Sequence, residues 1–530
     1  MKRRDLIRGA AAAAVSAGLV APRLATAQGN RVLRFVPHTE LVVLDPLWSN
    51  ALVTRNHAFL VFDTLFGQDN AYRARPQMVE GFSVDNDGLR WTLRLRDGLR
   101  FHDGEKVLAR DAVASIRRWS RRDPFGQALL STTDELSAPD DRTIVFRLKK
   151  PFPLLPDALG KTSAMIAPIM PARLADGDPN RAVSEMIGSG PFRFKADERL
   201  AGDRAVYERF EGYVPNQNGP TECTAGPKIA HFDRIEWKMM PDPSTAAAAL
   251  RTGQVDWWEM PPPDILPVLR RTRGLTIGMI DPTGQIPTFR INHLHPPFNN
   301  AGIRRALLGA VDQRDVVMAI AGDDRELWRT DVGFFTPGSP LASSDGVEAL
   351  RVRPPEDVRR DLLAAGYDGT PVLFMVSADS PMNNATGQVV ADAFRRCGLN
   401  IDYTALDFGT VVQRRLKPEP VAQGGWNGYC SGASGIEQML PATHLMLRGN
   451  GMTGPNIGWP TSAEIERLRA AWFDAPDLST QQEIARQLQR QAFIDVPYIP
   501  LGQVLQPSAY RSDVRDMLRG APFFWNVRRA

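Results

Sequence analysis

Hydrophobic and polar residues recur along the chain with two periodicities, one of two residues and one of about 3.6 residues. After a turn at residues 85–88, apolar residues occupy alternate positions from Leu89 to Leu95, which predicts a half-buried strand. Residues 109–119 instead have apolar side chains at helical spacing, which predicts an amphipathic helix. The same patterns predict further strands at 31–36, 143–148, 372–376 and 401–406, and further helices at 301–320, 388–397 and 479–493. Helices alternate with short strands over most of the length, so the chain is predicted to form α/β lobes.

The first 27 residues have the pattern of an export signal. A basic stretch ends in Arg3-Arg4, an Ala-rich run follows over residues 9–20, and Ala25-Thr26-Ala27 offers the small residues that a signal peptidase requires. The run is shorter than the roughly 20 residues of a spanning helix. The twin arginine predicts Tat-like export to the periplasm with cleavage after about Ala27. Sec export stays open, because Leu6 stands where Tat signals prefer Phe.

Length, composition and charge limit the class of protein. A chain of 530 residues predicts about two to four domains or lobes. With 43% hydrophobic and 23% charged residues, the composition excludes collagen-like, disordered and coiled-coil proteins. The signal holds five basic residues and one acid, which accounts for the whole net charge of +4, so the mature chain is neutral. Nucleic acid is therefore not expected as a partner. Among Cys223, Cys397 and Cys430, at most one disulfide can form.

No motif of a catalytic or metal site is complete. Gly160-Lys161-Thr162 resembles the end of a phosphate loop, but Leu155 stands where that loop requires glycine, so we interpret it as a turn. The closest histidine pair is His293 and His295, which lacks an identifiable third metal ligand and is interpreted as part of a polar loop. Gly188-Ser189-Gly190 does not have the spacing of a nucleophile elbow. The sequence thus predicts no catalytic residue, no metal and no cofactor.

A dense series of motifs begins with LRDGLRFHDGE at 95–105 and ARDAV at 109–113. Further motifs are GSGPF at 188–192, LRTGQVD at 250–256, PPF at 296–298, RRAL at 304–307 and DVPYIPL at 495–501. In this order, they resemble the extracytoplasmic solute-binding proteins of family 5, the dipeptide-, oligopeptide- and nickel-binding components of ABC importers. Most of the motifs are interpreted as scaffold. His102 is expected to be a hydrogen-bonded turn residue, and Asp111 is expected to cap its helix.

The resemblance implies the α/β fold of a type II periplasmic binding protein, a large variant with two hinge-joined lobes around a ligand cleft. The implied division is a signal at 1–27, lobe I at 28–285 with an inserted subdomain at about 76–186, lobe II at 286–496, and a C-terminal segment at 497–530 that returns to lobe I. The crossings between the lobes are expected near 285–290 and 496–503. A ligand that contacts both lobes favours the closed form, which a membrane partner can read.

The resemblance also implies where a ligand binds. In the peptide-binding relatives a loop supplies backbone hydrogen bonds to the ligand, and here that loop follows Leu44-Asp45-Pro46. Aromatic residues suit such a cleft because they give large contact areas with few rotors to freeze. Arg415 lies near a family arginine position and could bind an anion. The alternative is that it is an exposed charge in a basic stretch of the chain. The expected ligand-binding residues are Asn50, Ala51, Leu52, Phe125, Phe408, Arg415, Trp426, Asn427 and Tyr429.

Tyr429 is the departure from the family pattern with the largest consequence. Peptide-binding relatives have an aspartate three residues after the tryptophan, which pairs with the α-ammonium of the peptide. A neutral phenol cannot offset a buried ammonium as a carboxylate does. We therefore expect a capped or cyclic peptide, an opine-like or sugar-like molecule or a small acid, unless Glu40 or Glu437 supplies the missing carboxylate.

The resulting hypothesis is a binding protein and not an enzyme. It predicts a monomer that captures a peptide or similar small solute and delivers it to the permease and ATPase subunits at the inner membrane. The alternative is a periplasmic protein that binds nickel or a metal chelate, or an enzyme, on the same scaffold. Ligand-dependent closure without turnover favours the first hypothesis, and stoichiometric nickel favours the second.

Overall fold

Two seven-stranded sheets organise the protein into two lobes in the computed structural model, which describes residues 31–178 and 180–530. The predicted signal peptide lies outside the described residues. In spatial order, the first sheet consists of Leu275–Gly278, Ser508–Arg511, Trp257–Trp258, Val32–Val36, Arg234–Lys238, Arg204–Arg209 and Phe192–Phe194. The second consists of Trp328–Arg329, Gln503–Val504, Gln285–Ile291, Gly428–Ser434, Val372–Ser377 and Ile401–Leu406, with Tyr498–Pro500 also paired to Gln285–Ile291. We refer to the bodies built on these sheets as the first and second lobes.

Strand Val32–Val36 lies at the centre of the first sheet. It runs parallel to both of its neighbours, Arg234–Lys238 and Trp257–Trp258. Its residue Phe35 is fully buried, with its ring centroid 5.0 Å from that of Phe524 near the C-terminus of the chain. The core of the first lobe therefore contains residues from both ends of the sequence.

The second sheet combines antiparallel and parallel pairs. Gln285–Ile291 is antiparallel to Gly428–Ser434, whereas Val372–Ser377 is parallel to Ile401–Leu406. On one face Phe289 contacts Phe394 of helix Pro381–Arg396, with ring centroids 5.0 Å apart. Residues of helix and sheet thus bury a common aromatic core.

A separate four-stranded sheet is inserted in the first lobe. Its strands, in spatial order, are Val79–Asp85, Arg90–Leu95, Thr143–Leu148 and Thr133–Ser137. Arg90–Leu95 alternates between buried and more exposed positions, which confirms the predicted half-buried strand. Asp111 accepts a hydrogen bond from the Leu108 N–H at 2.8 Å and so caps the helix Ala109–Trp119, as predicted. His102 is buried in a turn and bonds to the Gly190 carbonyl at 3.0 Å, also as predicted.

The chain passes between the two large sheets twice. It leaves the first sheet after Gly278 and enters the second at Gln285, and it leaves the second after Val504 and re-enters the first at Ser508. The Gln503 amide donates a hydrogen bond to the Thr283 carbonyl at 2.7 Å, so the two crossing segments are tied together. The division into lobes at residues 285 and 496 stays a prediction.

Helices surround the sheets. In the first lobe they are Leu52–Val61, Ala109–Trp119, Pro124–Thr132, Leu155–Gly160, Ala172–Ala175, Pro243–Thr252 and Leu266–Arg270. In the second they are Ala301–Ala306, Gln313–Ala321, Pro355–Ala364, Pro381–Arg396, Phe408–Arg414, Ala463–Phe473 and Leu478–Asp495. None of the helices described is long and apolar enough to cross a membrane. Smaller pairs of strands are Phe66–Gln68 with Ala74–Pro76 and Val514–Arg515 with Arg528–Arg529.

The prediction of one helix over 301–320 was wrong. The segment forms two helices, Ala301–Ala306 and Gln313–Ala321, with a short 3-10 turn after the first. The side chain of Asp312 accepts a hydrogen bond from the Arg314 N–H at 2.8 Å, which caps the second helix and starts it anew. The predicted helix at 388–397 begins earlier, with Pro381 in its first turn, a position where proline loses no helical hydrogen bond.

Candidate functional site

A cavity of about 410 Å³ lies between the two lobes. The first lobe lines it with residues from 68–82 and 153–163, and the second with residues from 340–341, 436–443 and 472–481. This volume is within the range of small-molecule sites. Larger surface concavities near residues 208–211 and 100–111 belong to the first lobe alone. The cavity between the lobes, called the interlobe cavity below, is therefore the place where one solute could contact both lobes.

One edge of the interlobe cavity is a tight loop held by Asp69. Its carboxylate accepts hydrogen bonds from the N–H groups of Ala71 and Arg73 and from the Arg75 guanidinium, at 2.8–3.0 Å. Burial works to raise the pKa of Asp69, yet these hydrogen bonds bring it below its usual value. Tyr72, inside this loop, has a φ of 60°, which is rare for a bulky residue. Backbone strain of this kind is typical of a site whose geometry is fixed in advance.

A buried ion pair lies beside the cavity at Lys161. Its ammonium is 2.6 Å from the carboxylate of Asp123, and both side chains are almost fully buried. The ammonium also donates to the Ser163 hydroxyl and to the Ala164 carbonyl. All three of its N–H donors thus have acceptors within the protein, so no donor of Lys161 remains for a phosphate.

Glu437 of the second lobe reaches across to the first lobe. Its carboxylate accepts a hydrogen bond from the Ala164 N–H at 2.6 Å. Burial raises the pKa of Glu437, and the positive charges of Lys161 and Arg55 oppose that rise. Glu437 was a candidate for the missing ammonium-binding carboxylate. In the structure it instead joins the two lobes.

Asp157 places a carboxylate on the first-lobe wall of the cavity. It lies in the short helix Leu155–Gly160 and is partly buried. Burial raises its pKa to about 6, and the nearby backbone N–H groups of Asp157 and Ala74 oppose that rise. No positive charge contributes to this pKa. The carboxylate therefore lacks a compensating cation among the described residues.

Phe125 belongs to an aromatic cluster next to the cavity. The structure places it fully buried against Phe152, Trp472 and Phe473, with ring centroids 5.9–6.4 Å apart. Phe152 comes from the inserted part of the first lobe, whereas Trp472 and Phe473 end the helix Ala463–Phe473 of the second. Trp472 lines the cavity and Phe125 does not. The cluster thus packs the two lobes together.

Trp426 and Tyr429 lie together inside the second lobe. Both are buried, with ring centroids 5.0 Å apart, and Trp459 completes the cluster. The Trp426 indole N–H donates to the Arg415 carbonyl at 3.0 Å. The Tyr429 hydroxyl has no partner among the described residues. None of these residues lines the interlobe cavity.

The remaining positions of the second lobe have separate environments. Asn427 is buried, and its side chain accepts from the Leu373 N–H at 2.9 Å and donates to the Pro296 carbonyl at 3.0 Å. Phe408 is 49% exposed at the start of its helix. Asn427 therefore connects strands and loops, while Phe408 lies on the surface.

The predicted loop of the first lobe begins the helix Leu52–Val61. Asn50 and Ala51 are exposed, whereas Leu52 packs against Ile436 and Met439 of the second lobe. Both of these partners line the interlobe cavity. Of the nine predicted ligand-binding residues, Leu52 and Phe125 are those that the structure brings to contacts between the lobes beside this cavity.

Sequence reasoning missed Tyr72, Asp157 and Trp472 as cavity residues, and it did not place Glu437. The Gly160-Lys161-Thr162 triplet was a usable signal, because it marked a lysine in an apolar stretch. The other residues lie in four distant segments, and only the packing of the lobes brings them together.

The histidine pair has structural partners. His295 bonds to the Pro418 carbonyl at 2.7 Å, and burial lowers the pKa of His293 to about 3. Residues 31–178 and 180–530 contain no group of three or more His, Cys, Asp and Glu side chains that could hold a metal ion. Cys223, Cys397 and Cys430 are buried and free.

Comparison with known proteins gives one family. Residues 73–441 match the family described as bacterial extracellular solute-binding proteins, family 5 Middle. The chain is 34% identical over 540 residues, across the full length of both, to a probable peptide ABC transporter periplasmic-binding protein, y4tO, of Sinorhizobium fredii. It is 27% identical over 473 residues to the glutathione-binding protein GsiB of Pectobacterium atrosepticum, covering 86% of this chain and 85% of that one.

Solved structures share the fold. A dipeptide-binding protein from Pseudoalteromonas sp. SM9913, in complex with Met-Leu, superposes with a TM-score of 0.77 at 17% identity, covering 94% of this chain and 100% of that one. The binding protein AgaA from A. tumefaciens R10, in complex with agropinic acid, superposes with a TM-score of 0.75 at 20% identity, covering 94% and 99%. The predicted two-lobed α/β fold is confirmed.

Proposed function

Because the chain belongs to the bacterial extracellular solute-binding proteins of family 5, we propose that it captures a peptide or similar small solute in the interlobe cavity. It then delivers this solute to the permease of an ABC importer, whose ATPase supplies the energy. The observation that carries the proposal is the cavity itself, since both lobes contribute to its wall.

Contacts between the lobes support a closing mechanism. Glu437 accepts a hydrogen bond from Ala164, and Leu52 packs against Ile436 and Met439. The two crossing segments, at 278–285 and 504–508, are short and lie side by side. Such an arrangement suits hinge closure, in which a solute that contacts both lobes shifts the population toward the closed form.

The class of ligand is inferred from relatives of known name. One is named as a probable peptide transporter component, one as a glutathione-binding protein, and a structural neighbour is described with Met-Leu. We propose a peptide or an amino-acid-derived solute of similar size. We further propose that the protein acts as an exported monomer, cleaved after about Ala27, without nucleic acid, catalysis or a cofactor.

The predicted ligand-binding residues are proposed to act in different ways. We propose that Leu52 acts at the closed interface beside the cavity, together with Ile436 and Met439. Phe125 then acts through the packing between the lobes, and Trp426, Asn427 and Tyr429 act through the rigidity of the second lobe, since none of the four lines the cavity.

The test is mass spectrometry of the solute that mature protein releases after purification from the periplasm without refolding. We expect one small solute or peptide per chain, and rebinding of that solute without turnover. A released solute that is chemically converted on rebinding, or stoichiometric nickel, contradicts the proposal. A chain without solute that also fails to bind a peptide library in a thermal-shift panel contradicts it as well.

A further inference from the structure

Aromatic side chains from both lobes meet beside the interlobe cavity. Phe125 and Phe152 belong to the inserted part of the first lobe, and Trp472 and Phe473 end a helix of the second. The ring centroid of Phe125 is 6.4 Å from that of Trp472 and 5.9 Å from that of Phe473. Phe152 stacks on Phe473 with a centroid distance of 6.2 Å and an interplanar angle of 21°. We refer to these four rings, two from each lobe, as the aromatic clasp.

The aromatic clasp removes a large apolar surface from water. Phe125, Phe152 and Trp472 are almost fully buried, and Phe473 is partly buried against them. They belong to one apolar core that continues from the inserted sheet into the second lobe. A large aromatic side chain buries roughly 150–250 Å², and separating the lobes here returns part of that surface to water. The clasp therefore favours the closed form whether or not a solute is present.

An ion pair between the lobes borders the clasp. The Lys150 ammonium of the first lobe is 2.6 Å from the Asp474 carboxylate of the second, and both side chains are about half exposed. Lys150 lies two residues before Phe152, and Asp474 directly follows Phe473. An exposed pair contributes little to stability. Its two charges are on different lobes, however, so they can be inverted without a change in either core.

The clasp is also part of the border of the interlobe cavity. Pro153 and Leu154, which directly follow Phe152, line the cavity, and so does Trp472. The hydrogen bond between Glu437 and Ala164 joins the lobes at a second place beside the cavity. A solute in the cavity is therefore flanked by contacts that are lost when the lobes separate.

We propose that the aromatic clasp keeps the solute-free protein closed, so that solute enters and leaves the interlobe cavity when the clasp parts. The clasp is then a kinetic gate, present in the closed form with and without solute and absent from the open form. This inference rests on the proposed function, because it takes the cavity as the ligand site. It goes further in assigning the resting conformation and the residues that set the rate of solute exchange.

A gate of this kind has a kinetic signature. Because the free closed form and the solute-bound closed form both contain the clasp, weakening it raises the free energy of both relative to the open form. Association and dissociation rates should then rise together, and Kd should stay nearly constant while the free protein remains mainly closed. A residue that contacts the solute behaves differently, since its loss acts mainly on the dissociation rate and so raises Kd.

The first experiment measures both rate constants by stopped-flow fluorescence, with Leu-Leu amide as the probe and mature protein. Phe473→Ala should raise the association and dissociation rate constants by about tenfold each and leave Kd within about twofold of wild type. Phe473 does not line the cavity, so the variant loses no contact with the probe. Leu363→Ala removes an apolar side chain that is 59% exposed on another helix of the second lobe and should leave both rates unchanged.

A charge-swap cycle tests the same gate without a change in a buried residue. Lys150→Glu and Asp474→Lys each place like charges across the contact, so each should raise both rate constants by about two- to threefold. The variant that carries both substitutions restores an ion pair and should return to wild-type rates. The cycle keeps the proposal testable if Phe473→Ala does not fold.

Small-angle X-ray scattering tests the resting conformation without any solute. Free wild-type protein should give the scattering profile of this structure, and saturation with Leu-Leu amide should leave the profile unchanged. The variant that combines Phe473→Ala with Asp474→Lys should have a larger radius of gyration when free. Added Leu-Leu amide should return it to the wild-type value, because the probe favours the closed form.

Free wild-type protein that is expanded relative to the structure overturns the inference. So do wild-type rate constants in a folded Phe473→Ala variant, or a Kd that rises through the dissociation rate alone. A double charge swap with rates as far from wild type as those of the single variants overturns it too. If Leu-Leu amide does not bind, that result bears on the proposed ligand class alone. The scattering of the free wild type and of the free combined variant then decides whether the clasp holds the lobes.

Discussion

The carboxylate of Glu437 in the second lobe accepts a hydrogen bond from the backbone N–H of Ala164 in the first lobe, over 2.6 Å. Ala164 follows directly on the Lys161–Ser163 stretch that lines the interlobe cavity. The hydrogen bond between Glu437 and Ala164 therefore joins the lobes directly beside the interlobe cavity.

Glu437→Ala should shift the free protein toward an open form. The substitution leaves the buried N–H of Ala164 without an acceptor, at a cost of about 1–3 kcal/mol in the closed form. Small-angle X-ray scattering should show a larger radius of gyration than for wild type. Glu437→Gln keeps an acceptor oxygen and serves as the matched control. Identical scattering from Glu437→Ala and wild type would mean that the contact does not hold the lobes.

Stability should fall in acid because several histidines are buried without charge. Burial lowers the pKa of His444 to about 3, and that of His102 to about 4. Each binds its proton more tightly in the unfolded chain. Its contribution to the free energy of unfolding is therefore fully present above pH 6.5 and is lost as the pH falls below that value. The expected loss in unfolding free energy is about 1.4 kcal/mol per pH unit for each histidine.

Guanidinium unfolding at pH 7.5 and 5.5 measures this slope. His57 and His293 have lowered pKa values as well, each about 3, and add to it. His444→Gln should reduce the pH dependence of the free energy of unfolding by the contribution of one histidine, about 1.4 kcal/mol per pH unit. His231→Gln, which removes an exposed histidine, is the control variant. A stability that does not change between the two pH values contradicts the prediction.

The stability of the protein should change little when the hydroxyl of Tyr429 is removed and should fall when a carboxylate replaces the phenol. The hydroxyl is buried and has no partner in the described part of the chain, so Tyr429→Phe should change the melting temperature little or raise it. Tyr429→Asp buries an unpaired charge against Trp426 and should lower stability by several kcal/mol. Thermal unfolding checks both variants, and calorimetry with Leu-Leu amide should show no gain for Tyr429→Asp. A tighter complex in that variant would place residue 429 in the ligand site.

Phe125 should affect stability more than ligand affinity. It is fully buried against Phe152 and Trp472, so Phe125→Ala should cost about 3–5 kcal/mol in unfolding free energy. Phe125→Leu keeps most of the apolar volume, and its affinity for the released solute should stay within about twofold of wild type. A large loss of affinity in Phe125→Leu without loss of stability would make Phe125 a ligand contact.

Much of the fold follows from local sequence patterns. The strand Thr143–Leu148, the helix Ala109–Trp119 and the strand Ile401–Leu406 have the predicted bounds, because alternation or helical spacing fixes which face is buried. The helix predicted over 301–320 is interrupted because the cap at Asp312 outweighs the continuous apolar pattern. A capping residue of this kind can be recognised in a sequence. The sequence does not show whether the cap or the apolar pattern decides where the helix begins.

The candidate site was far less predictable. Trp426 and Phe125 looked like ligand contacts because large aromatics occur both in clefts and in cores. The structure buries Trp426 inside the second lobe and Phe125 in the aromatic cluster between the lobes. Tyr72, Asp157 and Trp472 meet only through the packing of distant segments, and the Gly160-Lys161-Thr162 triplet close to Asp157 was the local signal that the sequence offered. The positive φ of Tyr72 depends on the hydrogen bonds of Asp69, which a residue pattern does not reveal.

The most direct test of the account is to block the interlobe cavity and measure binding. Leu440 lines the cavity and is partly buried, so Leu440→Trp should fill space that the solute requires. Leu416→Trp adds the same bulk at a site that is 53% exposed and outside the cavity. With the solute released from periplasmic protein, calorimetry should show at least a hundredfold loss of affinity for Leu440→Trp and none for Leu416→Trp. Wild-type affinity in a folded Leu440→Trp variant would show that the solute binds elsewhere.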